Sequence, residues 1–204
     1  MAKTLIPTCS VIVSVYNDLE ALQLIIDVLT SQSSPPHEII IAEDAQHKNI
    51  KTYLQSLHNN KIIHLSQPDM GWQKEKILNQ AINISSGEYL IFIDGDCIPY
   101  PNFIESHLVL AQKNSALCGR RSEPGERFST LLRKRVISLQ DFKKRYIYNF
   151  FALRRDDIRH YDEGVDLGHN SLLFKLLHKI ARKETHIVGC NWSCYKGNSA
   201  YKWI

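Results

Sequence analysis

No uncharged apolar run in this chain approaches the roughly 18 residues that a membrane span needs. The opening Met-Ala-Lys-Thr-Leu-Ile-Pro lacks the apolar stretch of a secretory signal, so a cytoplasmic location is expected. Cysteine is sparse. Cys9, Cys97, Cys118, Cys190 and Cys194 are odd in number and scattered, which excludes a disulfide-built scaffold and favours reduced thiols. Nine Gly and seven Pro in 204 residues exclude collagen-like and low-complexity classes, and no internal repeat is visible. No Gly-x-Gly-x-x-Gly follows the first apolar run, where Asn17-Asp18-Leu19-Glu20 stands instead, which argues against a Rossmann dehydrogenase. The Gly-rich basic phosphate loop of nucleotidyltransferases is also missing. What remains is ordinary globular material. With 44% hydrophobic and 23% charged residues, the chain can bury one core and is too short for two comfortable ones, so a single domain over 1–204 is expected.

The net charge of +4 conceals a segregation. Residues 127–183 carry 14 Lys and Arg against 6 Asp and Glu, a net of +8, and the rest of the chain has a net of −4. Within that segment the cations interleave with apolar and aromatic residues, as in Leu132-Arg133-Lys134-Arg135 and Phe142-Lys143-Lys144-Arg145-Tyr146. Such a surface suits anionic lipid headgroups, nucleic acid or plain solvation. No nucleic-acid motif accompanies it, so no nucleic-acid partner is expected.

Short β-branched runs alternate with helical periodicity. Residues 10–16 predict a strand buried on both faces, and Asn17 with Glu20 predicts a capped helix carrying Leu22, Ile25, Ile26 and Leu29 inward. Further strands are expected over 38–42, 61–65, 88–93 and 115–118, with helices over about 73–84 and after Pro101. The order implies an α/β fold with a mostly parallel sheet and helices on both faces. No linker divides it.

In such sheets ligands bind beyond the carboxyl ends of the strands. Three polar clusters fall there: Tyr16-Asn17-Asp18, Glu43-Asp44 and Asp94-Gly95-Asp96. The last sets two carboxylates around one Gly at the end of a strong apolar strand. Its hard oxygens suit Mg²⁺ or Mn²⁺ bound together with substrate phosphates, although Asp and Gly also make ordinary polar turns. Trp72 and Trp192 fit either sugar stacking or packing. His186, Cys190 and Cys194 are spaced at four and four, which could set three zinc ligands on one helical face, but their segment reads as strand and offers no fourth ligand, so no zinc is expected.

Together, Val11 to Asn17, Glu38 to Asp44, Asn79-Gln80-Ala81 and Gly87 to Asp96 resemble glycosyltransferase family 2, whose enzymes have the GT-A, Rossmann-like fold. The segment Val188 to Lys196, with Gly189 and Asn191, is similar to one in galactosyltransferase-like members, where it lines the acceptor side. The resemblance implies that Val15, Tyr16 and Asn17 border the nucleotide of a nucleotide-diphosphate sugar and that Asp44 accepts a hydrogen bond from the base, most often uracil. It implies that Asp94 sits near the ribose or shares a metal, and that Asp96 coordinates Mn²⁺ or Mg²⁺. Asn191 and Trp192 would face a glycan or lipid-linked acceptor. Many members place Arg before the Asn that matches Asn79, whereas Leu78 stands here; Lys76 and Lys74 are the candidates for facing the diphosphate.

Inverting members use a carboxylate general base in a Gly/Trp-rich segment some tens of residues beyond the position of Asn191. Nothing after Glu184 is acidic, so the catalytic base is expected beyond Ile204. The expected division is a nucleotide-sugar-binding part over 1–119 and an acceptor-side part, incomplete, over 120–204. The expected activity is metal-dependent transfer in surface polysaccharide synthesis, with peripheral contact at the inner membrane face through 127–183. A truncated, non-catalytic nucleotide-sugar-binding domain is the alternative.

Overall fold

A computed structural model describes residues 6–166, 168, 171 and 189–197. Two compact units divide the chain, one formed by the residues up to Gly119 together with those from Gly189 onward, the other by Arg120–Val188.

The first unit grows from a central strand. β1 (Cys9–Val15) is so rich in β-branched residues that it can be buried on both faces, and Val11, Ile12 and Val13 are wholly inaccessible. Alternation along the strand sends Val11, Val13 and Val15 into one core and Ile12 into the other. β2 (Glu38–Glu43), β3 (Ile62–Ser66) and β4 (Tyr89–Asp94) pair in parallel, β2 and β4 flanking β1 and β3 lying outside β2. β5 (Ala116–Cys118) and β6 (Asn191–Tyr195) complete a six-stranded sheet of order β3-β2-β1-β4-β6-β5, with β6 antiparallel to β4. The expectation of a mostly parallel α/β sheet holds. α1 (Leu19–Thr30), α2 (Lys48–Ser56) and α4 (Phe103–Val109) contribute to the first core, and α3 (Lys74–Ile84) contributes Ile77, Ala81 and Ile82 to the second.

Two local expectations change. The residue that caps α1 is Asp18, whose carboxylate accepts from the Ala21 N–H at 3.0 Å, and not Asn17. α2 was not visible in the sequence pattern, because only Ile50 and Leu54 of its nine residues are buried.

The second unit has its own core of Phe128, Leu132, Phe142, Tyr146, Leu153 and Ile158. Its described elements are α5 (Glu126–Arg133), α6 (Leu139–Arg145), α7 (Phe150–Arg155) and a 3₁₀ turn at Tyr161–Gly164. The Asp156 carboxylate accepts from the Arg127 and Phe128 N–H groups at 3.0 and 2.9 Å, satisfying donors that the first turn of α5 leaves open. No Gly- or Ser-rich linker marks either boundary of this unit.

Candidate functional site

The chain runs β1, β2, β3 toward one edge of the sheet and then returns to place β4 on the other side of β1. The order therefore reverses between β1 and β4, and at such a switch point the connections leaving two adjacent strands diverge and open a crevice. Ser14 of β1 is in register with Asp94 of β4, and Val15 with Glu43 of β2. Tyr16-Asn17, Asp44 and Asp94-Gly95-Asp96 thus leave neighbouring strands at the same end of the sheet.

Backbone bonds fix these departures. The Asp44 N–H donates to the Val15 carbonyl at 2.8 Å, and the Gly95 N–H donates to the Ser14 carbonyl at 2.7 Å. A Cβ on residue 95 would lie 2.7 Å from that same oxygen, so glycine is what lets the loop lie against β1. The Asp94 N–H is held by the Cys190 carbonyl at 3.1 Å.

The side chains divide by environment. Asp94 is half-buried and accepts from the Lys74 ammonium, whereas Asp96 is exposed and, among the described residues, accepts only a weak contact from the Cys97 thiol at 3.2 Å. Burial, and then the Asp96 charge, push the Cys97 thiol up, so it stays protonated. Lys74 and Lys76 are thereby told apart: Lys74 reaches the carboxylate, while Lys76 is exposed along a groove with Trp72, Asn79 and Asn83.

Asp44 is buried, its Oδ1 accepting from Gln67 Nε2 at 2.7 Å and its Oδ2 from the Gln73 N–H at 2.9 Å. It therefore ties the end of β3 to the start of α3. The amide of Gln67 also donates to the Gln73 carbonyl at 3.0 Å, and its buried Oε1 has no partner among the described residues. Tyr16 stands half-exposed, its hydroxyl donating to Asp69 at 2.8 Å and its ring edge-on to His47 at 5.7 Å. That hydrogen bond raises the Tyr16 hydroxyl and lowers the Asp69 carboxyl from their ordinary values. Asn17 is exposed beside it.

The acceptor-side residues fall elsewhere. Trp192 is 6% exposed and stacks face to face on Phe92, with centroids 3.9 Å apart, inside the second core. A ring so packed has no open face for a sugar, which corrects the expectation placed on it. Asn191 accepts at Oδ1 from His107 Nε2 at 2.9 Å, and its carbonyl accepts from the Gly119 N–H at 2.9 Å. His107 is buried. Its Nδ1 accepts from Ser193 Oγ at 2.7 Å, and Ser193 Oγ in turn accepts from the Tyr89 hydroxyl at 2.7 Å.

His107 and Gln67 are polar participants that sequence pattern did not single out, and the buried Glu43, flagged there with Asp44, bonds His64 at 2.7 Å and His47 at 3.1 Å. Only the Asp69-x-Gly71 turn had a local signal, since Asp69 accepts from the Gly71 N–H at 3.1 Å and Gly71 has φ +83°.

As a metal site the strand end offers oxygen ligands alone. Among the described residues no group of three His, Cys, Asp or Glu could hold an ion. Of the His186, Cys190 and Cys194 set, His186 lies outside the described residues. Asp94 and Asp96 supply two hard carboxylates, a donor set that fits Mg²⁺ or Mn²⁺ when phosphate oxygens and water complete the shell.

Comparison with known proteins bears on these residues. Glycosyltransferase AglE of Haloferax volcanii is 32% identical over 110 residues, 52% of this chain and 35% of that protein. Chondroitin synthase of Escherichia coli is 28% identical over 118 residues, 55% of this chain and 17% of that protein. The alignments thus span about a third or less of these relatives. A mannosyltransferase from Pyrobaculum calidifontis, solved with GDP-Man and Mn²⁺, superposes with a TM-score of 0.47 at 17% identity over 58% of this chain and 36% of that one. The model of the family described as Glycosyl transferase family 2 matches residues 10–181, most of the chain and all the strand-end carboxylates above, and the protein belongs to that family.

Proposed function

We propose that this chain binds a nucleoside-diphosphate sugar, with UDP as the nucleotide, at the carboxyl ends of β1, β2 and β4. It transfers the sugar, with inversion, to a glycan or lipid-linked acceptor of surface polysaccharide synthesis. The observation that carries the reading is the convergence of Tyr16, Asp44, Asp94, Asp96 and Lys74 on one end of the sheet, around the switch point between β1 and β4.

Each group has a chemical task in this reading. Asp44 is held in one orientation by Gln67 and by the Gln73 N–H, and so offers its remaining lone pairs to a base N–H. The half-exposed Tyr16 ring forms a wall for the base, and its hydroxyl is anchored by Asp69. Val15 and Asn17 border the nucleotide from the end of β1. Lys74 brings a cation to the pole where the diphosphate gathers negative charge as it leaves. Asp96, with Asp94, would hold Mn²⁺ or Mg²⁺, which when bound supplies charge stabilisation to the leaving diphosphate.

The test is calorimetric titration with UDP and with GDP, with and without Mn²⁺, on the parent chain and on Asp96→Asn. Metal-dependent binding of UDP is expected, weakened about tenfold or more in the variant, as befits loss of a charge-assisted contact. Asp96 is exposed, so the variant keeps its fold. A chain that binds neither nucleotide would overturn the reading. Binding of UDP without sugar transfer to any glycan or lipid-linked acceptor would overturn the transferase half of it.

A further inference from the structure

From Leu139 to Arg155 the second unit winds almost without interruption. α6 ends at Arg145, the Asn149 N–H donates to the Arg145 carbonyl at 2.8 Å, the Phe150 N–H donates to the Ile147 carbonyl at 3.2 Å, and α7 follows. One side of this run is spent on the core through Phe142, Tyr146 and Leu153. The opposite side carries Lys144, Ile147, Tyr148, Phe151 and Arg155, spaced three, four, seven and eleven residues from the first, which places them on a common face. A solvated helix face is normally polar. Here Ile147, Tyr148 and Phe151 are 63%, 87% and 76% exposed.

We infer that this face docks on an anionic lipid bilayer. The three large apolar side chains sit between Lys144 and Arg155, and no described carboxylate pairs with either cation, although neighbouring Lys143 is bonded to Asp166. Residues 139–155 hold five Lys and Arg against Asp141 alone. Apolar and aromatic groups flanked by long cationic side chains match the boundary between acyl chains and anionic headgroups: the rings enter the interface and the cations reach phosphate. A nucleic acid would use the cations and leave Ile147 without a role. A second copy of this face would meet it with charge of the same sign.

The test uses the purified chain and sedimentation with vesicles of phosphatidylcholine alone or mixed with phosphatidylglycerol. Binding to the mixed vesicles at low salt is expected. It should fall at about 1 M salt, where the screening length is about 3 Å. Lys144→Glu should weaken it about fivefold or more, as loss of one interfacial cation does. The double variant Tyr148→Ser, Phe151→Ser should weaken it while leaving UDP affinity and the unfolding midpoint unchanged, because both side chains are exposed. Indifference of the parent chain to phosphatidylglycerol, equal binding by the variants, retention by RNA but not by vesicles, or a dimer that the double variant abolishes would each overturn the inference. Should a variant lose its circular dichroism, the lipid and salt dependence of the parent chain decides.

Discussion

Lys74 and Lys76 stand two positions apart at the start of α3, and their surroundings separate them. Lys74 is half-buried against Asp94, whereas Lys76 is exposed along another groove. Lys74→Met is therefore expected to weaken UDP binding about tenfold, the size of a lost charge-assisted hydrogen bond. Lys76→Met should leave it within about twofold, as surface changes away from partners do. Parallel titrations check this, and equal losses in the two variants would reject the assignment. The strand-end carboxylates were legible in the sequence because each follows a continuous apolar run that must end at the sheet's edge. The choice between lysines was not, since one residue turns a helix by about 100° and helix starts are set by capping detail. The shift of the cap from Asn17 to Asp18 has the same origin.

At the scale of elements, the parallel strands could be read from their β-branched runs, but β6 and its place between β4 and β5 depend on pairing across some 100 residues of chain. Its alternation sends Trp192 and Cys194 into the second core, while the buried Ser193 bonds Tyr89 and His107. Composition alone could not tell a packed Trp from an open one. His107 fastens this strand to α4 in its neutral form, and burial pushes its ring from 6.5 down to about 4 despite the bond to Asn191. The folded chain thus resists a proton that the unfolded chain takes up, so stability is full above about pH 6.5 and is lost as the pH falls toward 4. The loss amounts to at most roughly 3 kcal/mol. Urea unfolding at a series of pH values should show it. His107→Gln, which cannot titrate, should flatten the slope between pH 6.5 and 4, and parallel profiles for the two proteins would show that His107 is not its source.

The whole molecule divides its burden between separate cores. All the proposed donor ligands, from Val15 to Asp96, belong to the first unit, and the excess of positive charge belongs to the segment that builds the second. This suggests that nucleotide binding and the membrane face are supplied by different packing. Phe142 tests that separation, because it is buried in the core of the second unit beside Phe128 and Tyr146, with ring centroids 5.8 and 5.5 Å away. Phe142→Ala removes a large buried ring and should cost about 3–5 kcal/mol, enough to unfold a core of marginal stability. Vesicle binding through α6 and α7 should then fall, because the buried side that orients their exposed face has lost its anchor. UDP affinity should stay within about twofold, the scatter expected of independent sites. Both are read on one preparation, by sedimentation and by titration. If UDP affinity collapses together with vesicle binding, the nucleotide site needs the second unit, and the assignment of donor binding to residues 1–119 with β6 is wrong.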